Sequence, residues 1–227
     1  MQYFGGKFKI ANDIVKILNY YRKPNQIFVE PFVGAANIVS KMTGERHAYD
    51  KHKELITMYK ALQNGWIPPT TITKEEYDNI RYDGSDELKA FVGFGCSFSG
   101  KYFGGYAKNK RGDNFAKNTH NSLLKKMSTM QDVIFECKDY RELDYNNALI
   151  YCDPPYANTT KYKIGDFNTQ SFWDWCIEMK NKGNIVIISE YVAPQGFECI
   201  WSKETKTEIR TKLNGREDRI EKLFKPI

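Results

Sequence analysis

The stretch Ala148-Leu149-Ile150-Tyr151-Cys152-Asp153-Pro154-Pro155-Tyr156 governs how this chain folds. An uncharged run, Ala148 to Cys152, meets an acid, two prolines and a tyrosine. The run has the form of a short buried strand: continuous, apolar and bounded by a breaker. Proline has no N–H to give a ladder, and the residue before it is driven towards extended backbone. Asp153, Pro154, Pro155 and Tyr156 therefore stand just past a strand's C-terminal end, where open α/β sheets bind their ligands. An ionised Asp153 only accepts hydrogen bonds. The carbonyls around the prolines face outward once the strand stops, and Tyr156 offers a flat ring. Together they suit a planar group that carries an amino group. The same residues also make an ordinary strand-ending turn with an incidental acid, and this stretch alone leaves both readings open.

Upstream, Gln26 to Glu30 forms a first core strand around Ile27-Phe28-Val29, ended by Glu30 and Pro31. Gly34 then turns the chain into a helix expected to begin between Ala35 and Ile38. The order strand, glycine turn, helix is that of a mononucleotide-type unit, but no G-x-G-x-x-G is present, so a phosphate cradle is unsupported. Arg46-His47-Ala48-Tyr49-Asp50 is a second strand that ends in an acid. Asp50 lies 20 residues beyond Glu30. An acid at that spacing binds ribose hydroxyls in doubly wound folds; it also suits the N-cap of a helix from Lys51.

Apolar spacing of 3.6 predicts helices over Lys7–Tyr21, Lys51–Asn64 and Phe172–Lys180. Gly5-Gly6 before the first is either a flexible turn or a point of close backbone approach. Thr73-Lys74-Glu75-Glu76 has the capping-box form and opens a further helix, and Asp86–Cys96 is helical too. Asp132–Cys137 and Ile185–Ser189 are further strands, and Asn214-Gly215 is a strong hairpin turn. Ala157–Asn168 is a polar loop expected to close over the site.

Residues 93–126 differ in composition. Lys101, Lys108, Lys110, Arg111, Lys117, Lys125 and Lys126 face a single acid, Asp113. Phe94, Phe98, Tyr102, Phe103, Tyr106 and Phe115 are interleaved with glycines. Cations neutralise phosphate, glycines allow close approach, and Asn or Arg reads base edges. Lys101, Tyr106, Lys108, Asn109, Lys110, Arg111 and Lys117 are the candidate DNA contacts, with Asn109-Lys110-Arg111-Gly112 as a hairpin tip. A solvated basic loop is the competing reading.

The chain has 227 residues, enough for one α/β domain with an insert, and a formal net charge of +6. That excess is compatible with nucleic acid without requiring it. No apolar run reaches the roughly 18 residues of a membrane helix, and the start lacks a signal-peptide apolar region. The five cysteines, an odd number without a Cys-x-x-Cys pair, read as reduced buried thiols of a cytoplasmic protein. His47, His52 and His120 have no metal-ligand spacing, so no metal is expected.

Three of these stretches share a resemblance. Tyr151-Cys152-Asp153-Pro154-Pro155-Tyr156 resembles the D-P-P-Y motif of amino-methyltransferases that act on DNA. Val29-Glu30-Pro31-Phe32-Val33-Gly34-Ala35-Ala36 resembles the cofactor motif of the Dam-like (D12 class) adenine-N6 enzymes. Tyr3-Phe4-Gly5-Gly6-Lys7 resembles that family's first motif, and Glu221–Pro226 its closing strand. The motif order is the Dam-like one.

The resemblance implies a Rossmann-like α/β methyltransferase sheet with a closing antiparallel hairpin, plus a smaller, mostly helical insert with a basic hairpin. Residues 1–55 and 129–227 would be catalytic and 56–128 the target-recognition insert. It implies S-adenosylmethionine as cofactor and double-stranded DNA as partner, with no metal, no membrane and no particular oligomer. Tyr3, Lys7, Glu30, Pro31, Phe32, Gly34, Asp50, Asp139, Tyr140 and Asp153 would bind the cofactor. S-adenosylmethionine carries positive charge and no phosphate, which suits Glu30 and a tight turn. Asp139 would accept from its adenine amino group and Tyr140 would wall that pocket; alone, Asp139 is equally a turn acid. Asp153, Pro154, Pro155 and Tyr156 would be catalytic, acting on a flipped-out adenine. Usual members carry glycine where Ala36 stands, which crowds the cofactor by a methyl group. Other acceptors (cytosine N4, RNA) or a non-catalytic DNA-binding relative are the alternatives. The lack of a nuclease domain fits an orphan, phage-type or restriction-linked modification enzyme.

Overall fold

Seven strands form one sheet in the order β3-β2-β1-β4-β5-β7-β6 in the computed structural model, which describes residues 1–155, 167–206 and 218–227. The strands are β1 (Phe28–Glu30), β2 (Arg46–Asp50), β3 (Ile134–Cys137), β4 (Leu149–Cys152), β5 (Ile185–Glu190), β6 (Phe197–Lys206) and β7 (Asp218–Pro226). The first five are parallel; β7 runs antiparallel to β5, and β6 antiparallel to β7. Tyr156, most of the Ala157–Asn168 loop and the Asn214-Gly215 turn lie outside the described residues.

The central strands read as unbroken apolar runs because both faces of the sheet are covered. Phe28, Leu149, Tyr151 and Ile187 point into one core, shared with α1 (Ala11–Tyr21), α2 (Lys53–Gln63), α4 (Asp86–Gly95) and α5 (Phe115–Met127). Their neighbours Val29, Ile150, Cys152, Val186 and Ile188 point the other way, into a core closed by Phe172, Trp173, Trp175, Cys176 and Met179 of α6 (Thr169–Asn181). The period-two alternation of a strand thus assigns each residue of Ala148–Cys152 to one core or the other. The remaining helix, α3 (Lys74–Asp83), begins at the expected capping box: Thr73 accepts from Glu76 N, and Glu76 accepts from Thr73 N. The helices of residues 56–128 share the first core with the sheet, without a gap between them.

Four expectations are corrected. The first helix starts at Ala11, so Lys7 lies in the turn before it. No α-helix follows Gly34; Val33–Ile38 is irregular and leads into a single 3₁₀ turn, Val39–Lys41. Gly34 (φ 43°) and Ala36 (φ 53°) are both left-handed, and helical hydrogen bonding cannot propagate through such residues. Arg46 serves the carbonyls instead. Its Nη1 donates to Val39 O (3.1 Å), Met42 O (2.9 Å) and Thr129 O (2.8 Å), while its Nη2 pairs with Asp132.

The basic segment forms no hairpin. The flanks of Asn109–Gly112 are not strands, and Ser97–Tyr106 is an isolated bridge. Asn109 closes the turn itself, its Oδ1 accepting from Arg111 N and Asp113 N at 3.1 Å each; an Asx turn needs no strand pairing. The interleaved aromatics also divide: Phe94 and Phe103 are core residues, whereas Phe98 is exposed. Finally, Cys137 and Cys199 are exposed, because each sits at the rim or on an outer strand. Among the described residues no helix is long and apolar enough to cross a membrane, and no cluster of three metal-ligating side chains occurs.

Candidate active site

The strand order reverses between β1 and β4, the two neighbours at the centre of the parallel sheet. Connections leave such a switch point in opposite directions and open a crevice at the strands' C-terminal ends. Glu30 ends β1, Asp50 ends β2, and Asp153 follows β4, so the sheet brings three acids from distant parts of the sequence to one rim.

Glu30 is buried, and its Oε2 accepts from Val39 N at 2.8 Å. Burial pushes its pKa well above the usual carboxylate range, with the charges of Asp153 and Asp50 adding to the rise. Asp50 is raised as well, again chiefly by burial, although its carboxylate accepts from Gly34 N (3.1 Å) and His52 N (3.0 Å). It thus splints the glycine turn to β2. It is not the N-cap that its place before Lys51 suggested, because α2 starts at Lys53 with His52 in the cap position.

Lys7 stands beside Asp153. Its Nζ lies 3.2 Å from Asp153 Oδ1 and 3.3 Å from Glu221 Oε2 on β7, and it is only 6% exposed. Burial opposes its charge, but the two carboxylates outweigh burial and raise its pKa. Asp153 keeps 20% of its exposure and stands at the rim rather than in the core. Tyr3 lies over the glycine turn: a Cβ on Gly34 would meet its ring at 2.9 Å.

Past β3, Asp139 caps a short 3₁₀ turn and accepts from Arg141 N, Nε and Nη2 at 2.8–2.9 Å; Lys51 Nζ lies 2.9 Å away. The Arg141 hydrogen bonds hold its pKa far below the usual range. Phe32 and Tyr140 meet, with ring centroids 5.5 Å apart, and Phe167 and Phe172 close the same aromatic box. Pro31 and Pro154 are buried and Pro155 is half-buried at this rim. The donor set is acids for cations and hydroxyls beside aromatic walls. That fits the charge and rings of S-adenosylmethionine, and Lys7, Lys51 and Arg141 are tied to acids rather than arrayed for phosphate.

Of the expected DNA contacts, Lys101, Lys108, Asn109, Lys110, Arg111 and Lys117 are exposed. Tyr106 turns inward: its hydroxyl donates to Ile72 O at 2.7 Å, and its ring packs against Tyr77. Phe98, Lys108 and Asn109 line a groove of about 560 Å³ whose other wall includes Tyr3, Gly6 and Asn37, so the basic loop opens towards the rim.

A family model for D12 class N6 adenine-specific DNA methyltransferases matches residues 3–90 and 96–182. The chain belongs to this family. A curated relative, the modification methylase StsI of Streptococcus sanguinis, is 25% identical over 247 aligned positions. The alignment takes in 93% of this chain and 36% of that protein, so the chain spans about a third of its relative's length. Among solved structures, a putative RNA methyltransferase from Pyrococcus horikoshii aligns with a TM-score of 0.46 at 9% identity, covering 96% of this chain and 85% of that one. Magnesium protoporphyrin IX methyltransferase from Synechocystis, solved with its methyl donor bound, aligns at 0.41 and 9%, over 96% and 78%.

In this member of the D12 family several residues around the site carried no sequence signal. Tyr59 Oη donates to Gly34 O at 2.7 Å. Lys126 Nζ donates to Ala35 O and to Asn37 Oδ1, both at 2.6 Å. Glu221 shares Lys7. Lys126 read as one more basic residue of the loop and Tyr59 as one more core aromatic. Neither spacing nor type marks a side chain that reaches a turn some 90 or 25 residues away. Arg46 had no signal either, standing in a strand that also carries His47 and Asp50.

Proposed function

We propose that this chain transfers a methyl group from S-adenosylmethionine to N6 of an adenine in double-stranded DNA. The observation that carries the reading is the Asp153 carboxylate, held by Lys7 at the same rim where Glu30 ends the neighbouring strand β1. S-adenosylmethionine is the cofactor, and bound it supplies an electrophilic methyl group on a positively charged sulfur. Glu30 meets its positive charge, Asp50 its ribose hydroxyls, and Phe32 with Tyr140 its adenine ring. Asp139 stands beside that ring with its carboxylate already engaged by Arg141 and Lys51. The turn from Pro31 to Gly34, with Tyr3 packed on it, sets the floor.

The adenine amino nitrogen is a poor nucleophile because its lone pair is conjugated with the ring. Asp153 and the Pro154 carbonyl accept its two hydrogens, so the lone pair turns out of the ring plane towards the methyl group. The bound cofactor would supply the methyl group to N6, its C–S bond breaking as the C–N bond forms, and N6 would then give one proton to solvent. Holding the partners in line contributes several kcal/mol, and acceptors placed for the developing N6 charge add to it. The adenine leaves the duplex at a cost of a few kcal/mol. Pro155 lines the pocket for that base, and the stacking role expected of Tyr156 falls outside the described residues.

Residues 1–55 and 129–227 make the catalytic part in this reading, and 56–128 the recognition insert. Lys101, Lys108, Lys110, Arg111 and Lys117 meet phosphate, and the groove beside Phe98 faces the duplex. Asn109 is committed to its own turn, and Tyr106 to packing, which leaves Arg111 as the base reader of the tip.

The test is Asp153→Ala, with labelled methyl incorporation into DNA and mass analysis of the nucleosides. The wild-type chain should yield N6-methyladenine and the variant none, with DNA binding retained. Full incorporation by the variant ends the proposal; N4-methylcytosine or methylated RNA instead would move it to another acceptor.

A further inference from the structure

We propose that Lys126 is a positioning residue for the cofactor turn, a clamp that holds Ala36 in a left-handed conformation alanine does not adopt on its own. The inference rests on reading Gly34–Asn37 as the turn beside the cofactor. Ala36 is fully buried at φ 53°. A left-handed residue with a Cβ meets the following carbonyl oxygen, and such strain persists only where the surroundings over-determine it.

The surroundings here are specific. Gly34 N–H donates to Asp50 Oδ2 at 3.1 Å, and Gly34 O accepts from Tyr59 at 2.7 Å. Ala36 N–H donates to Val33 O at 2.7 Å. These bonds fix the turn's entry. Its exit is fixed by Lys126, which brackets Ala36: the ammonium binds the carbonyl of the residue before it and the side chain of the residue after it, both at 2.6 Å. Asn37 is itself buried, with its amide nitrogen packed close beside Gly6 of the N-terminal segment. A cation in this place is costly to keep. Burial lowers Lys126 to about 8, Lys41 adds to the fall, and Glu30 opposes it. The clamp also ties the cofactor turn to α5, the last helix before the chain returns to the sheet.

The clamp and the strain should therefore be coupled. In Lys126→Met the turn relaxes, and only the fraction of molecules still in the bound conformation takes the cofactor. Affinity for S-adenosylmethionine, measured by calorimetry, should fall about tenfold. Ala36→Gly alone is the reference for the rescue: it removes the methyl group expected to crowd the cofactor, so it should bind at least as tightly as the wild type, because glycine accepts that conformation freely. The double variant should recover to within about threefold of the wild type, since glycine no longer needs holding. A purely structural Lys126 would give no such rescue. Crystals grown without cofactor give an independent reading. Ala36 should leave positive φ in Lys126→Met, whereas the glycine that replaces it in the double variant should keep positive φ. Lys126→Gln, which retains one amide donor, is the milder substitute where Lys126→Met does not fold.

A double variant as weak as Lys126→Met, or an Ala36 that stays left-handed without the lysine, overturns the clamp. Failure of the wild-type chain to bind S-adenosylmethionine would instead remove the functional reading, and the crystallographic comparison would still decide the clamp.

Discussion

Lys7→Met tests the charge arrangement at the rim. The wild-type ammonium is almost wholly buried, 3.2 Å from Asp153 and 3.3 Å from Glu221, and the two acids keep 20% and 14% of their exposure. Removing one partner of a buried ion pair costs about 3–5 kcal/mol, because it leaves buried charge without its counter-ion. The residual exposure of the acids screens part of this, so a loss of about 3 kcal/mol at pH 8 is expected. In urea unfolding, with a slope of about 2 kcal/mol/M, the midpoint should fall by about 1.5 M.

The loss has a sign in pH. Without Lys7, the carboxylates of Asp153 and Glu221 share one corner with no cation between them. Their repulsion exists only while both are charged, so the variant loses most where both are ionised and least in acid. In the wild type the raised Lys7 pKa contributes stability that is complete below about 10.5 and is lost as pH climbs through the folded value. The difference between the two proteins should therefore be greatest from pH 7 to 9 and shrink towards pH 4. Glu221→Gln added to Lys7→Met should return part of the loss by removing one of the two acids. A deficit under about 1 kcal/mol, or one equal at pH 5 and pH 8, would refute the account of Lys7 as the counter-ion of both acids.

Three further outcomes follow from the same structure. Arg46→Met strips hydrogen bonds from the carbonyls of Val39, Met42 and Thr129 and should lower stability by about 3–5 kcal/mol in thermal unfolding; a drop under about 1 would mean that solvent serves those groups equally well. Between pH 8 and 10.5 the folded protein has a neutral Lys126 while the unfolded chain keeps its charge, so stability attributable to this residue should rise with pH by on the order of 3 kcal/mol. Urea titrations of wild type and Lys126→Met should diverge over that window, and a constant gap would contradict the burial argument. Lys110→Ala with Arg111→Ala should weaken DNA binding and reduce the logarithmic salt slope by about 2; an unchanged slope would place both cations away from phosphate.

The sheet, and the rim where its chemistry gathers, were legible in the order of residues alone. Ala148–Cys152 and Gln26–Glu30 are apolar because both of their faces are covered, and the breakers after them mark the rim at Asp153 and Pro31. These are local signals: a strand's period and a proline's missing donor act within a few residues. The Thr73 capping box and the second strand, Arg46–Asp50, could be read for the same reason.

Whatever needed a distant partner was settled by the folded chain. The segment after Gly34 has the composition of a helix, yet buried Arg46 takes its carbonyls and Lys126 and Tyr59 fix its turn, so the backbone stays irregular. Lys7 reads as the first residue of a helix until β4 and β7 bring Asp153 and Glu221 to it. Phe103 of the basic loop is drawn inward because α4 presents a glycine to it: a Cβ on Gly93 would lie 2.8 Å from its ring. Hydrogen bonds and ion pairs of this kind join residues far apart in the chain, and no periodicity records which of them will meet.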